Sequence, residues 1–189
     1  MMKLVILDRD GTINADSDEY IKSPEEWTPL PGALEAIARL NHAGWHTVIA
    51  SNQSGLGRGL FDVASLNAMH AKMHKLLSAQ GGRIDAVFYC PHSPDEGCLC
   101  RKPLPGLFEQ IGDRFGVDLK GTPVVGDGLR DLQAGVAAGC EPHLVLTGKG
   151  EGLRGKPLPE GFPQGTRVHP DLAAFAEWLT ARVPAPRAP

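Results

Sequence analysis

Short apolar runs rich in β-branched residues alternate along this chain with stretches whose apolar positions recur every three or four residues. The runs are residues 3–7, 45–50, 86–89, 123–125 and 143–146, and their length and composition predict strands. Between them, Leu34, Ile37, Ala38 and Leu40 follow Pro31-Gly32 at helical spacing, and Leu66, Met69, Met73, Leu76 and Leu77 mark a longer helix ended by Gly81-Gly82. Further helices are predicted over 107–115, over 131–138 with Gly139 closing it, and over 171–182. Residues 148–165 are dense in Gly and Pro and read as an irregular surface loop, while the Pro-Ala tail at 183–189 reads as disordered. Strand and helix alternating to the end predict an α/β fold, a doubly wound, Rossmann-like parallel sheet with helices on both faces. Little more than one helix separates successive strands. The expectation is one domain over 1–182, with no separate cap domain.

Composition narrows what such a domain does. The chain has 189 residues, 42% of them hydrophobic and 22% charged, with a net charge of -3. That balance suits a soluble globular domain and supplies no field for nucleic acid or an anionic membrane. Neither a signal peptide nor a run of about 20 apolar residues is visible, so a cytoplasmic location is expected. We expect a monomer acting on a small molecule, without nucleic-acid or membrane partners.

In a doubly wound sheet, ligands bind beyond the carboxyl ends of the strands, so polar residues directly after the apolar runs are the candidates. The first run ends in Asp8-Arg9-Asp10-Gly11-Thr12, the second in Ser51-Asn52-Gln53-Ser54-Gly55. Arg101-Lys102-Pro103 comes after the third, and Gly126-Asp127-Gly128-Leu129-Arg130-Asp131 after the fourth. Singly, each is ordinary turn or cap chemistry. Together they bring carboxylates, a hydroxyl and a lysine to one crevice, the set that phosphoryl transfer requires. Asp8 and Asp127 repel unless a cation lies between them, and oxygen ligands select a hard ion such as Mg²⁺. Asp8 is then the expected nucleophile, Asp10 the acid and base, and Ser51 and Lys102 the donors to phosphoryl oxygens.

The four cysteines are unevenly placed. Cys90, His92, Cys98 and Cys100 fall within eleven residues and form a complete ligand set for a closed, structural Zn²⁺ site that staples the loop before Arg101 and Lys102. Cys140 stands alone and reads as core packing. His70 and His74, one helical turn apart, have no third ligand nearby in sequence and read as a solvated or partly buried helix face.

Asp8-x-Asp10-Gly11-Thr12, Ser51, Lys102 and Gly126-Asp127-x-x-x-Asp131 resemble the four motifs of the haloacid dehalogenase superfamily. The resemblance runs to about residue 148. It implies Mg²⁺ held by Asp8, Asp127 and the main-chain carbonyl of Asp10, with Asp131 supporting the site from behind these ligands. The zinc loop followed by Arg-Lys-Pro is similar to two groups in that superfamily, the D,D-heptose 1,7-bisphosphate phosphatases and the histidinol-phosphate phosphatases. The run from Ser51 through Arg58-Gly59 is closer to the heptose group. The short gap of five residues between His92 and Cys98, and Gly128 where some heptose enzymes carry lysine, depart from it. The resemblance implies removal of the 7-phosphate from a heptose bisphosphate in supply of lipopolysaccharide or surface glycans. Histidinol phosphate is the alternative substrate. A phospho-accepting signalling domain is the alternative of another class, and it has no use for Asp10. Specificity is expected from Asp16 and Tyr20, from Asn52, Gln53, Ser54 and Arg58, and from Arg101, the two arginines suiting a second phosphate.

Overall fold

The structure, a computed structural model, describes residues 2–182; the tail expected at 183–189 lies outside the described residues. Six strands form one parallel sheet: β1 (Leu4–Leu7), β2 (His46–Asn52), β3 (Ala86–Cys90), β4 (Pro123–Gly126), β5 (Glu141–Val145) and β6 (Arg167–His169). Their spatial order is β3-β2-β1-β4-β5-β6. The chain builds outward from β1 on one side, then returns to place β4 on the other. The switch point therefore lies between β1 and β4, where Leu7 pairs with both Ile49 and Val125.

Period-two geometry explains the layering. Val5 and Leu7 point into a core shared with Ile37 of α1 (Ala33–His42), Met69 of α3 (Val63–Ala79) and Phe175 of α6 (Leu172–Ala181). Leu4 and Ile6 point the other way, toward Phe108 and Ile111 of α4 (Gly106–Phe115) and Leu132 of α5 (Leu129–Ala137). All four side chains of β1 are buried, each contributing about 2 kcal/mol through removal from water. Asp8 and Asp10 thus extend from a strand anchored in both core layers. A short helix, α2 (Ser54–Gly57), precedes α3, whose amino end is capped by the Asp62 carboxylate accepting from the Ser65 amide.

Two differences from the sequence expectation have physical causes. β6 is additional to the expected strands: it has three residues, Arg167 and Val168 are exposed, and an edge strand so short carries no alternating pattern. β2 runs on to Asn52 because Ser51 and Asn52 still pair with Tyr89 and Cys90. The hydrophobic run stops before the strand does, and Ser51 is held on strand backbone, not in a loop. No helix among the described residues is long and apolar enough to cross a membrane.

Candidate active site at the carboxyl ends of β1 and β4

Asp8 leaves β1 with its amide still bonded to the Val125 carbonyl, 2.9 Å, so the carboxylate is aimed by the sheet itself. Lys102, 2% exposed, reaches it from the zinc-loop side. Its ammonium donates to Asp8 Oδ1 at 2.9 Å, to Asp131 Oδ1 at 2.6 Å and to the Ala50 carbonyl at 2.7 Å. All three of its protons are placed. Asp131, in the first turn of α5, also accepts from the Gly128 amide at 3.2 Å. Asp127 accepts from the Lys149 amide at 2.9 Å, and Thr147 Oγ1 donates to the Gly11 carbonyl at 2.7 Å, tying the loop after β5 to the loop after β1. Gly11 has φ +83°, and a Cβ there would run into the Asp127 carboxylate. Only glycine lets the loops after β1 and β4 approach so closely.

Carboxylate oxygens of Asp8, Asp127 and Asp131 lie within 4.8 Å of one another. Three carboxylates face one buried lysine, and their titration reflects the imbalance. Burial first, then the Asp131 charge, push Asp8 well above the usual carboxylate range against the pull of Lys102. Burial and Asp131 likewise raise Asp127 to about 6. Burial alone would lower Lys102, but Asp131 and Asp8 outweigh it and its pKa is raised. The surplus negative charge on oxygen donors fits a hard divalent cation.

Asp10 is gripped differently. Its Oδ1 accepts from Arg9 Nε and Asn14 Nδ2, both at 2.9 Å, and its Oδ2 from Gln53 Nε2 at 3.2 Å. Gln53 also donates to Ser51 Oγ at 2.7 Å. Asp10 and Gln53 border a cleft of about 550 Å³ lined also by Asp8, Asp16, Tyr20, Asn52, Ser54, Arg101, Lys102, Asp127, Arg130, Asp131 and Lys149 among others. A larger concavity, about 850 Å³, opens between the α2–α3 turn and the zinc loop and contains none of the carboxylate–lysine set. Chemistry, not size, selects the smaller one.

Of the residues expected to meet substrate, Arg101 lines the cleft, and its Nη1 is buried without a hydrogen-bond partner. Asp16 lines it as well, its carboxyl raised mainly by burial. Three residues depart from the expectation. Ser51 is buried and does not line the cleft, its Oγ accepting from Gln53. Asn52 borders the cleft, but its amide is used on the protein: Nδ2 donates to the Lys102 carbonyl at 3.1 Å and Oδ1 accepts from the Lys102 amide at 3.0 Å. Arg58 does not line the cleft. It is exposed and stacks on Tyr20, 5.9 Å from the ring centroid, and Tyr20 holds a left-handed backbone at φ 67°. Arg9, Asn14, Thr147, Arg130 and Lys149 join the site without a signal in the sequence. Arg9 and Arg130 stand inside the strand-end segments but carry no motif role there, and Asn14, Thr147 and Lys149 lie outside them.

The four residues expected to hold zinc meet. Cys90 Sγ lies 3.4 Å from His92 Nδ1 and 3.6 Å from Cys98 Sγ, and His92 Nδ1 lies 3.3 Å from Cys100 Sγ. Bond lengths of about 2.3 Å to sulfur and 2.0 Å to nitrogen give tetrahedral edges of about 3.5 Å, so the cluster can hold zinc. Without a cation, burial and the neighbouring Cys100 thiol push Cys90 up to about 12, whereas Cys98, despite its burial cost, is brought to about 7 by the Arg101 amide and the Cys90 thiol. Cys140 is buried and raised to about 12 by burial alone, as core packing requires. His70 is buried too, more than expected, and its partner is Arg9, not His74.

Known proteins place this arrangement. The family model described as polynucleotide kinase 3 phosphatase matches residues 3–129, and the one described as HAD-hydrolase-like matches residues 99–175. The chain is 61% identical, over 94% of its length and 98% of the relative's, to the D-glycero-beta-D-manno-heptose-1,7-bisphosphate 7-phosphatase of Bordetella bronchiseptica. It is 55% identical to the protein of that name from Pseudomonas aeruginosa, over 93% and 97% of the two lengths. The crystal structure of the B. bronchiseptica enzyme, complexed with magnesium and phosphate, superposes with a TM-score of 0.90 at 60% identity, covering 94% of this chain and 98% of that one. With the strand-end motifs, the parallel sheet and near-full-length likeness in agreement, the chain belongs to the D-glycero-D-manno-heptose-1,7-bisphosphate 7-phosphatase family of the haloacid dehalogenase superfamily.

Proposed function

We propose that this chain hydrolyses the 7-phosphate of D-glycero-D-manno-heptose 1,7-bisphosphate, of the β anomer for which its relatives are named, through an aspartyl phosphate on Asp8. The observation that carries the reading is the meeting of Asp8, Asp127 and Asp131 around buried Lys102 at the sheet's switch point. Asp8 and Asp127, with the Asp10 carbonyl, are the residues to hold Mg²⁺. When bound, the ion supplies positive charge that neutralises phosphoryl oxygens and keeps the carboxylates ionised. Asp8, fixed by β1, attacks phosphorus while Asp10 gives its proton to the departing alkoxide. Asp10, now a carboxylate, takes a proton from the water that cleaves the acyl phosphate. Lys102 and the Ser51 hydroxyl are the groups to offset the charge of the transferring group. Arg101, which lines the cleft and has a buried Nη1 without a partner, suits the phosphate that is kept. Zinc on the cysteine cluster fixes the loop that carries Arg101 and Lys102. We place the enzyme in the cytoplasm, as a monomer of one domain, supplying heptose for lipopolysaccharide or surface glycans.

The test is phosphate release from each anomer of the heptose bisphosphate beside histidinol phosphate. The expected order is β anomer, then α anomer, with histidinol phosphate far behind; faster turnover of histidinol phosphate would overturn the substrate assignment.

A further inference from the structure

Arg9 occupies the single position between the two aspartates of the first motif and is wholly buried. Its Nε donates to Asp10 Oδ1 at 2.9 Å, and its Nη2 contacts the same oxygen at 2.7 Å as an ion pair without hydrogen-bond alignment. Asn14, also fully buried, donates to that oxygen from the other end of the turn at 2.9 Å. Two aligned donors use both lone pairs of Oδ1, and a guanidinium lies against it, so a proton on Oδ1 would face three donors. Oδ2 accepts one bond, 3.2 Å long, from Gln53, and keeps a lone pair on a residue that borders the cleft. On the far side, Arg9 Nη1 lies 3.2 Å from His70 Nε2 in α3. Arginine only donates, so Nε2 accepts and the His70 proton sits on Nδ1.

We infer that Arg9 and Asn14 are positioning residues that confine the transferable proton of Asp10 to Oδ2, and that His70 anchors Arg9 from α3. This rests on Asp10 being the general acid. As the bond from Asp8 to phosphorus forms and the bond from phosphorus to the ester oxygen breaks, the Oδ2–H bond breaks and its proton joins the departing oxygen, which keeps the electron pair of the broken bond. Oδ2 is left as the carboxylate oxygen that receives a proton from the attacking water. Burial holds His70 neutral by lowering it to about 4, with the Arg9 charge adding to the effect, which agrees with its accepting role.

The experiment compares kcat/KM, which reads only the steps up to alcohol release, for heptose 1,7-bisphosphate and for p-nitrophenyl phosphate, whose leaving group departs without a proton. In Arg9→Met, kcat/KM is expected to fall about a hundredfold on the sugar phosphate, with KM little changed, and about tenfold or less on the aryl phosphate. Arg9→Lys, which keeps the charge but not the fork, should fall between parent and Arg9→Met in the sugar-to-aryl ratio and serves if Arg9→Met does not fold. Equal losses on both substrates in the variant that folds would make Arg9 a scaffold residue and overturn the inference. So would a parental ratio in the Arg9 variants while Asp10→Asn is crippled on the sugar phosphate. A parental ratio in Asp10→Asn would instead remove Asp10 as the acid, and the inference with it.

Discussion

At the scale of single residues, the proposed mechanism separates groups that react from groups that aim them, and substitutions should separate them too. Asp8 is a largely buried carboxylate at the cleft, raised well above its usual range by desolvation and by Asp131, so in metal-free protein its charge destabilises the fold at neutral pH. Asp8→Asn is therefore expected to abolish turnover, by at least about 10⁴-fold, while melting no lower than the parent in a chelator-treated thermal scan. Asn52 is the opposite case. Its amide clamps the Lys102 backbone at two points, and losing the clamp lets the ammonium drift from Asp8. Asn52→Ala is expected to lower kcat by about 10²-fold, as an error of about 1 Å does, and steady-state kinetics with an intact circular dichroism spectrum would check it. The sequence shows that Asn52 stands at a strand end but not what it touches, because a side chain that serves the backbone of a residue 50 positions away leaves no local pattern. Arg9 is hidden for the related reason that its partners, Asp10 and His70, include one on another element.

At the scale of elements, the zinc loop is where spacing alone is most informative. Its ligands are close in sequence, so the cluster can be read without knowing the fold. How the loop docks cannot be read in that way. The amino end of α4 packs beneath it, where a Cβ on Gly106 would strike the Leu99 carbonyl and the Cys100 Cα, so the loop's seat on α4 depends on a glycine there. Lys102 has anchors of its own in Asn52, Ala50 and Asp131, whereas Arg101 has a buried nitrogen with no partner. Loosening the loop should therefore fall on binding before chemistry. Cys98→Ser is expected to reduce zinc from about one per chain to almost none, to lower the melting temperature and to raise KM roughly tenfold, the loss of one charge-assisted contact of about 1.5 kcal/mol, with kcat changing less. Elemental analysis and kinetics on the same preparation would check it. Full zinc loading in Cys98→Ser would show that the metal sits elsewhere. The strands flanking the site are legible for the reason the loop is, since each is a continuous apolar run. β6 is not, because an exposed three-residue edge strand is defined by its neighbour β5 and not by its own composition.

At the scale of the whole molecule, two sets of buried groups titrate against each other. His143 and His169 are buried and hydrogen-bonded at 3.0 Å among Phe175 and Trp178. Burial lowers His143 to about 3 and also lowers His169, while His70 falls to about 4. For these groups the unfolded chain binds protons first as pH falls below about 6.5, so their neutral burial costs stability on acidification. Asp127 runs the other way. Its native pKa of about 6 exceeds the unfolded value of 3.8, so the native state binds more protons between those values and loses stability as pH rises through them; Asp8 shifts in the same direction. In metal-free protein the two trends offset each other between about pH 4 and 6, and a melting profile alone would hide both. A divalent cation separates them, because it needs carboxylates that have lost their protons and takes none of the three histidines as a ligand. The rise in melting temperature on adding magnesium should be small at pH 5 and grow to its full value by about pH 7, and Asp127→Asn should remove most of it at every pH. An increment independent of pH, or one that survives Asp127→Asn, would mean that the ion binds away from the Asp8–Asp127 pair, and the grouping of carboxylates at the switch point would then need another explanation.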